Sequence, residues 1–255
     1  MGGGYTVSVF KKKSNMQVDS GGNRLPVLAF KGVSTEPEPL FDSPLWDVTF
    51  TLSQGELLLL RLEHGRFRLP VADLAAGVLE PGQGTVEFLG ENWLRMSPDY
   101  SSTQRGKIGR VFEDHGWISN LDIGENITLA QRHHSTRSDS DIEEEATHLA
   151  RMFGLPGLPH HPVAGMHRED LRRSELIRAF IGTPVLIILE RPTRNIFPGI
   201  MPPLMNAIRA ARDRGSAVIW TTSEDRIWSE SGIHATLKCT MFGSRMNVIK
   251  EGDNG

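Results

Sequence analysis

Leu57-Leu58-Leu59-Leu60-Arg61-Leu62-Glu63-His64-Gly65-Arg66-Phe67-Arg68-Leu69-Pro70-Val71-Ala72-Asp73-Leu74-Ala75-Ala76-Gly77 is the stretch on which the fold turns. The apolar run Leu57–Leu60 predicts a buried strand, and Val71–Ala76 predicts a helix that ends at Gly77. Strand, turn and helix in this order form the setting of a phosphate-binding loop, G-x-x-x-x-G-K-[S/T]. In that register the first glycine is Leu62, the second is Phe67, the lysine is Arg68 and the hydroxyl residue is Leu69. Such a loop works because small residues let successive backbone N–H groups close around phosphates. Leu62 and Phe67 bring bulk there, and Gly65 is the glycine left inside the turn. Leu69 has no hydroxyl for Mg²⁺, and Pro70 has no N–H to donate. Arg68 keeps a positive charge, but its planar fork is no substitute for the point charge of lysine.

On the N-terminal side, Leu28-Ala29-Phe30 and Asp47–Leu52 alternate like antiparallel strands, separated by the turn-rich Glu36-Pro37-Glu38-Pro39. Residues 1–24 are rich in Gly, Ser, Lys and Asn and read as a mobile tail. On the C-terminal side, Thr85–Phe88 reads as a strand entered through the turn Glu80–Gly84. Residues 120–183 read as largely helical. Ser140-x-x-Glu143 suggests a capping box opening a helix with Ala146, Leu149, Ala150 and Phe153 on one face, closed by Gly154. Residues 155–165 read as loop, and Leu171, Ile177, Phe180 and Ile181 as the next helix. Then come a buried strand Val185–Leu189, a helix Pro203–Arg212 with Gly215 past its end, and a buried strand Ala217–Thr222. This βαβ alternation implies a parallel sheet. Residues 251–255 read as a frayed terminus.

With 255 residues, 38% of them hydrophobic, the chain can bury a real core. A net charge of −3 gives no nucleic-acid footprint. Cys239 has no second cysteine to pair with, which suits a reducing compartment. No apolar run reaches membrane-spanning length, and Lys11-Lys12-Lys13 is followed by polar residues instead of a signal-peptide core. The expectation is a cytoplasmic protein that can still reach a membrane through a partner.

Several blocks in order resemble the ATP-binding subunits of ATP-binding-cassette (ABC) transporters. They are Gly55-Glu56-Leu57-Leu58-Leu59-Leu60, Ala76-Gly77-Val78-Leu79-Glu80-Pro81, Gly84-Thr85-Val86, Val111-Phe112-x-Asp114, Ile123-x-Glu125-Asn126-Ile127, Arg178-Ala179, Leu186–Leu189 with Pro192-Thr193, and Val218-Ile219-Trp220-x-Thr222. The resemblance covers about residues 26–228. It implies an α/β, P-loop NTPase-like fold over 25–250, with a parallel-sheet core, an N-terminal antiparallel β subdomain and a helical subdomain at about 115–175. It also implies a dimer, with itself or with a related subunit, docked on a membrane permease-like protein at the cytoplasmic face, and no nucleic acid.

The departures from the family pattern fall on its chemistry. By the resemblance, the Q-loop glutamine is Glu113, and the signature L-S-G-G-Q is Met166-His167-Arg168-Glu169-Asp170. The Walker B aspartate is Glu190, the catalytic glutamate is Arg191, the D-loop aspartate is Phe197 and the switch histidine is Ser223. The adenine-stacking aromatic is expected near Pro37, where Phe41 is the nearby substitute. Glu190 could hold a metal through water. Arg191 is donor-only and cannot orient an attacking water. Glu169 and Asp170 set carboxylates where a neutral helix start should meet phosphate. Phosphoryl transfer is positioning and charge stabilisation. The residues therefore predict a degenerate subunit with no catalytic residues and no expected cofactor. ATP with Mg²⁺ bound at Leu62, Gly65, Phe67, Arg68, Leu69, Glu113, Glu190, Arg191 and Ser223 is the alternative, and a soluble interaction module is a third reading.

Asp114-His115-Gly116-Trp117-Ile118 lines what in the family is the groove for a permease helix. Trp117 reads either as an interface anchor there or as a core residue. His133-His134, His160-His161 and His167 lack the partners of a metal site and read as polar surface. Arg172 and Arg173 read as a solvated helix face or as partners of nearby acids, and Glu63 and Arg66 as a pair within the turn.

Overall fold

The computed structural model describes residues 25–65, 68–194 and 198–249. Two sheets and a helical layer make the fold. β1 (Pro26–Ser34), β2 (Val48–Ser53), β4 (Gln83–Phe88) and β5 (Glu91–Asn92) form an antiparallel sheet in the order β2-β1-β4-β5. β2 shows a strict buried–exposed alternation, the pattern of a sheet with one wet face. Phe30 sits opposite Phe50, and their rings stack at 4.6 Å.

The second sheet contains β3 (Leu57–Arg61), β6 (Ile108–Val111), β7 (Leu186–Glu190), β8 (Ala217–Thr222), β9 (Leu237–Phe242) and β10 (Arg245–Ile249), in the order β10-β9-β3-β8-β7-β6. All its neighbours are parallel except the β9–β10 hairpin. Its central strands feed two cores by simple alternation. Leu57, Leu59, Ile187, Leu189, Val218 and Trp220 point into one core, and Leu58, Leu60, Leu186, Ile188, Ala217 and Ile219 into the other. The second core is closed by the antiparallel sheet and by α1 (Val71–Ala75). A side chain of this size contributes about 1.5–3 kcal/mol when fully buried, so these all-apolar runs fix the sheet.

The first core is covered by α3 (Ile123–His134), α4 (Asp139–Met152), α5 (Arg168–Phe180) and α6 (Met201–Asp213). Shorter helices α2 (Pro98–Arg105) and α7 (Asp225–Trp228) complete the chain. α5 lies directly on β6: a Cβ added at Gly109 would stand 1.8 Å from the Ala179 carbonyl oxygen. Gly77, with φ +62°, does end α1, and a Cβ there would stand 2.4 Å from the Trp93 ring.

The α/β class, the N-terminal antiparallel strands and the helical stretch are as the sequence predicts. The expected capping box is not: the N-cap of α4 is Ser138, whose hydroxyl accepts from Asp141 N–H, not Ser140. The earlier start brings Asp139 and Asp141 into the first turn, where the helix dipole favours acids. A full capping box stands instead at Asp122 and Glu125 of α3. Strands β6, β9 and β10 and helix α2 have no counterpart in the sequence reading. The tails and the Glu63–Arg66 pair fall partly or wholly outside the described residues. No helix among the described residues is long and apolar enough to cross a membrane.

Candidate functional site

The C-terminal ends of β3, β6, β7 and β8 converge, and a linked set of ion pairs fills the space above them. At the end of β7 the backbone turns sharply, with Arg191 at φ +43° and its N–H donating to the Thr221 carbonyl at 3.1 Å. This turn sends the Arg191 side chain toward Glu113. Arg191 Nε donates to Glu113 Oε2 at 2.8 Å, and Nη2 donates to Oε1. Arg194 Nη1 donates to the same Oε1 at 2.5 Å. Glu113 is 6% and Arg191 5% exposed. In a site this dry an ionised carboxylate has to be paired, and Glu113 is paired from two directions.

Arg110 makes the other half. The parallel register sets Arg110 opposite Ile188, so Glu190 lies two residues further along the neighbouring strand. Arg110 Nε donates to Glu190 Oε1 at 2.7 Å, and Nη1 to Asp73 Oδ1 in α1 at 2.6 Å. Its guanidinium also lies over the Phe112 ring at 4.5 Å. Burial works against the Arg110 charge, but Glu190 and Asp73 more than offset it and hold its pKa above the ordinary arginine value. Burial pushes the Glu190 carboxyl up from its ordinary value, with Arg110 opposing. Asp73, Glu113 and Glu190 thus face Arg110, Arg191 and Arg194. The carboxylates and guanidiniums pair with one another.

The strand–turn–helix segment is equally self-contained. Leu62 and Leu69 are buried in the second core. Phe67 lies outside the described residues, as does Phe197. Gly65 has φ +82°, and no described residue lies within 4 Å of where its Cβ would stand. Arg68 binds Asp114 Oδ2 through Nη1 at 2.9 Å, its N–H donates to Asp42 Oδ2 at 2.8 Å, and its guanidinium sits 5.8 Å from the Phe41 ring centroid. The cation expected to meet phosphate and the aromatic expected to meet a base are therefore in contact with each other. Pro70 is the N-cap of α1 and supplies no side-chain cap, and the acid Asp73 stands in the first turn. Ser223 is half-buried in the turn between β8 and α7, next to Glu224, which accepts from Thr193 Oγ1 at 2.6 Å.

Met166 packs against the first core, and His167 is the N-cap of α5 with no side-chain cap bond. Exposed Arg168 follows, and Glu169 and Asp170 accept from Arg173 at 2.6 and 3.3 Å. These residues form a helix start neutralised by its own second turn. Arg172 is not on a solvated face. It is 2% exposed and donates to Glu175 Oε2 at 2.6 Å and to the Phe112 carbonyl at 3.1 Å. The reason is the helix rotation: Leu176, Ile177 and Phe180 turn this stripe of α5 into the core. The His115 ring, with backbone φ +67°, pairs with fully buried Glu175. Trp117 is not a free anchor but packs against the edge of the first core. It is half-buried, with the Arg178 guanidinium 4.4 Å from its ring centroid. Ile118 is exposed. Burial lowers the Arg178 pKa to about 10, with Glu175 opposing and Arg172 and Arg110 adding to the fall.

Chemically, the carboxylates above the sheet are already paired with guanidiniums. These guanidiniums cannot take a proton. Among the described residues no group of three or more His, Cys, Asp or Glu side chains could hold a metal ion. Sequence reading missed Arg110, Asp73, Arg194 and Glu175. The available signal was Arg110 itself, a charge in an otherwise apolar strand-like run, which only the β6–β7 register connects to Glu190.

No family model matches the chain. It is 29% identical over 188 residues to the xylose import ATP-binding protein XylG of Burkholderia ambifaria, covering 70% of this chain and 36% of that protein. It is 27% identical over 153 residues to the lipoprotein-releasing system ATP-binding protein LolD of Buchnera aphidicola, covering 60% of this chain and 67% of that one. The chain spans 68% of the length of one such curated relative and as little as 29% of another. Among solved structures, the dimeric post-hydrolysis state of the ATP-binding cassette MJ0796 bound to ADP and Pi superimposes with a TM-score of 0.76 at 16% identity, over 88% of this chain and 99% of that one.

Proposed function

We propose, from the premise that this chain belongs to the family of ABC-transporter ATP-binding subunits, that it is a catalytically inert member. It serves as a structural or regulatory subunit on the cytoplasmic face of a membrane, docked on a permease-like protein and paired with itself or with a related subunit. The observation that carries this reading is the fork of Arg191 on Glu113, joined by Arg194. The family's catalytic glutamate and γ-phosphate sensor fall by resemblance on these two positions. Here they bind each other, so no general base remains, and losing one typically removes a 10²–10⁴-fold contribution. The contacts of Arg110 with Glu190 and of Arg68 with Asp114 and Phe41 support the same reading, since each occupies a group that nucleotide or metal would need.

Docking is supported by the surface at Asp114, His115, Trp117 and Ile118, where exposed Ile118 lies beside half-buried Trp117. Homologues named as ATP-binding/permease and dimeric cassette proteins supply the class of partner. The test is the thermal stability of the purified chain with and without Mg-ATP, alongside steady-state turnover. A ligand at 100 times its Kd adds about 2.7 kcal/mol. The expected result is no shift at millimolar Mg-ATP and background turnover. A clear shift with turnover that vanishes on Arg68→Ala would overturn the proposal.

A further inference from the structure

Residues 112–118 join the sheet to the helical layer, and residue after residue in this segment is tied to one side or the other. From the sheet side, the Arg110 guanidinium lies over the Phe112 ring, Arg191 and Arg194 hold Glu113, and Arg68 holds Asp114. From the helical side, Arg172 donates to the Phe112 carbonyl, and Glu175 of α5 pairs with the His115 ring. Arg178 donates to the His115 and Gly116 carbonyls at 2.6 and 2.8 Å and stacks over Phe112 and Trp117. Asn126 of α3 takes the Ile118 N–H at 2.8 Å and returns a bond to its carbonyl at 3.1 Å. Glu113, Arg191, Arg172 and Glu175 are buried, where ion pairs are weakly screened, whereas Asp114 and Arg194 are exposed and add less. At Gly109 the layers also meet backbone to backbone.

We propose that residues 112–118 are a fixed strut. They hold α3, α4 and α5 at one orientation to the sheet, so the molecule presents a single permanent conformation to whatever docks on it. A hinge needs a few residues free to absorb a backbone change. Here a change at Glu113 or Asp114 would break an ion pair, and one at His115, Gly116 or Ile118 would strip a hydrogen bond. The inference rests on these contacts and not on the loss of catalysis.

The test is pulsed electron paramagnetic resonance on the full chain, with spin labels at Leu129→Cys in α3 and Val78→Cys beyond α1. Both positions are exposed, and the native Cys239 is fully buried. The expected result is one narrow distance distribution, unchanged by millimolar Mg-ATP. A broad or bimodal distribution without nucleotide would overturn the strut and leave the inert reading standing. A shift appearing only with Mg-ATP would overturn both. In the same labelled background, Glu113→Gln with His115→Ala is expected to lose the narrow peak. If that variant does not fold, His115→Ala alone provides the same comparison at a partly exposed ring. A folded variant as narrow as its parent would show that these contacts do not hold the layers, and would also overturn the strut.

Discussion

Arg191 and Glu113 are 78 positions apart in the chain, yet Arg191 Nε sits 2.8 Å from Glu113 Oε2 at the top of the parallel sheet. The pair is buried, and buried pairs are weak evidence for net stability because desolvation opposes the Coulombic gain. Removing one partner is a different matter, since a buried charge then loses part of its compensation.

Glu113→Ala strips a partner from both Arg191 and Arg194, and is expected to cost about 3–5 kcal/mol. Arg191→Ala leaves Glu113 bonded to Arg194 and is expected to cost less. Urea denaturation of both single variants and the double variant forms a cycle. A coupling energy above about 1 kcal/mol is expected for residues sharing one network. Additive single effects would mean that the fork carries no energy of its own.

Arg191→Glu restores the residue type that the family resemblance expects, but not a site. The new carboxylate would stand beside Glu190 and Glu113 in a dry environment, and Arg110 is already committed to Glu190 and Asp73. The expected outcome is a less stable chain with turnover still at background in a coupled phosphate-release assay. Turnover well above background would mean that the surrounding framework is still competent.

Why some of this was legible in the sequence and some was not follows from particular residues. Leu57–Leu60, Val185–Leu189 and Ala217–Thr222 point to buried strands because they are short and bounded and suit a sheet covered on both faces. β10 carries Arg245 and Asn247 on an exposed edge, so it shows neither a run nor a clean alternation. β6 is four residues, Ile108-Gly109-Arg110-Val111, too short for periodicity and interrupted by a charge. The site positions Glu113, Glu190 and Arg191 were visible one by one. Their partnership was not, because it depends on parallel register and on the left-handed backbone at Arg191. Of the two readings open for Arg172, the structure takes the acid partner, Glu175, and the rotation of α5 buries the pair.

Glu190 makes a signed pH prediction. Its folded carboxyl is raised, with burial the leading cause. The folded state therefore holds a proton that the unfolded chain releases as pH climbs above the ordinary carboxylate value. Stability from this group is fully present below that value and is lost as pH rises through the raised one. The stability of the parent relative to Glu190→Gln is expected to fall steadily as pH climbs from 4.5 toward neutral. Denaturant midpoints at several pH values in that window measure it. A difference that grows with pH would show that Arg110 outweighs burial.

Arg68 and Asp114 are joined at 2.9 Å, but the Asp114 side chain is 72% exposed and the Arg68 side chain 31%. Exposed pairs of this kind typically contribute about 0.2–1 kcal/mol and weaken with salt. Arg68→Ala is therefore expected to move stability by less than about 1 kcal/mol, with a smaller effect in high salt. Chemical denaturation at low and high ionic strength distinguishes this from a larger, salt-insensitive loss.

Gly65 and Gly77 bracket the remodelled turn, and alanine at each should behave differently. Both have positive φ, +82° and +62°. A left-handed backbone costs a residue with a Cβ roughly 1–2 kcal/mol. At Gly65 no described residue lies within 4 Å of an added Cβ, so Gly65→Ala should cost about that much. At Gly77 the same Cβ meets the Trp93 ring at 2.4 Å, and that ring is itself stacked on Phe88 at 5.2 Å. Overpacking adds about 1–3 kcal/mol, so Gly77→Ala should cost about 2–5 kcal/mol in total. Thermal unfolding of the two variants ranks them. Because the space at Gly65 is proposed not to receive phosphate, Gly65→Ala should also leave the response to Mg-ATP at the parent's null level. If Gly65→Ala instead abolished a measurable Mg-ATP shift in the parent, Gly65 would be a phosphate contact after all.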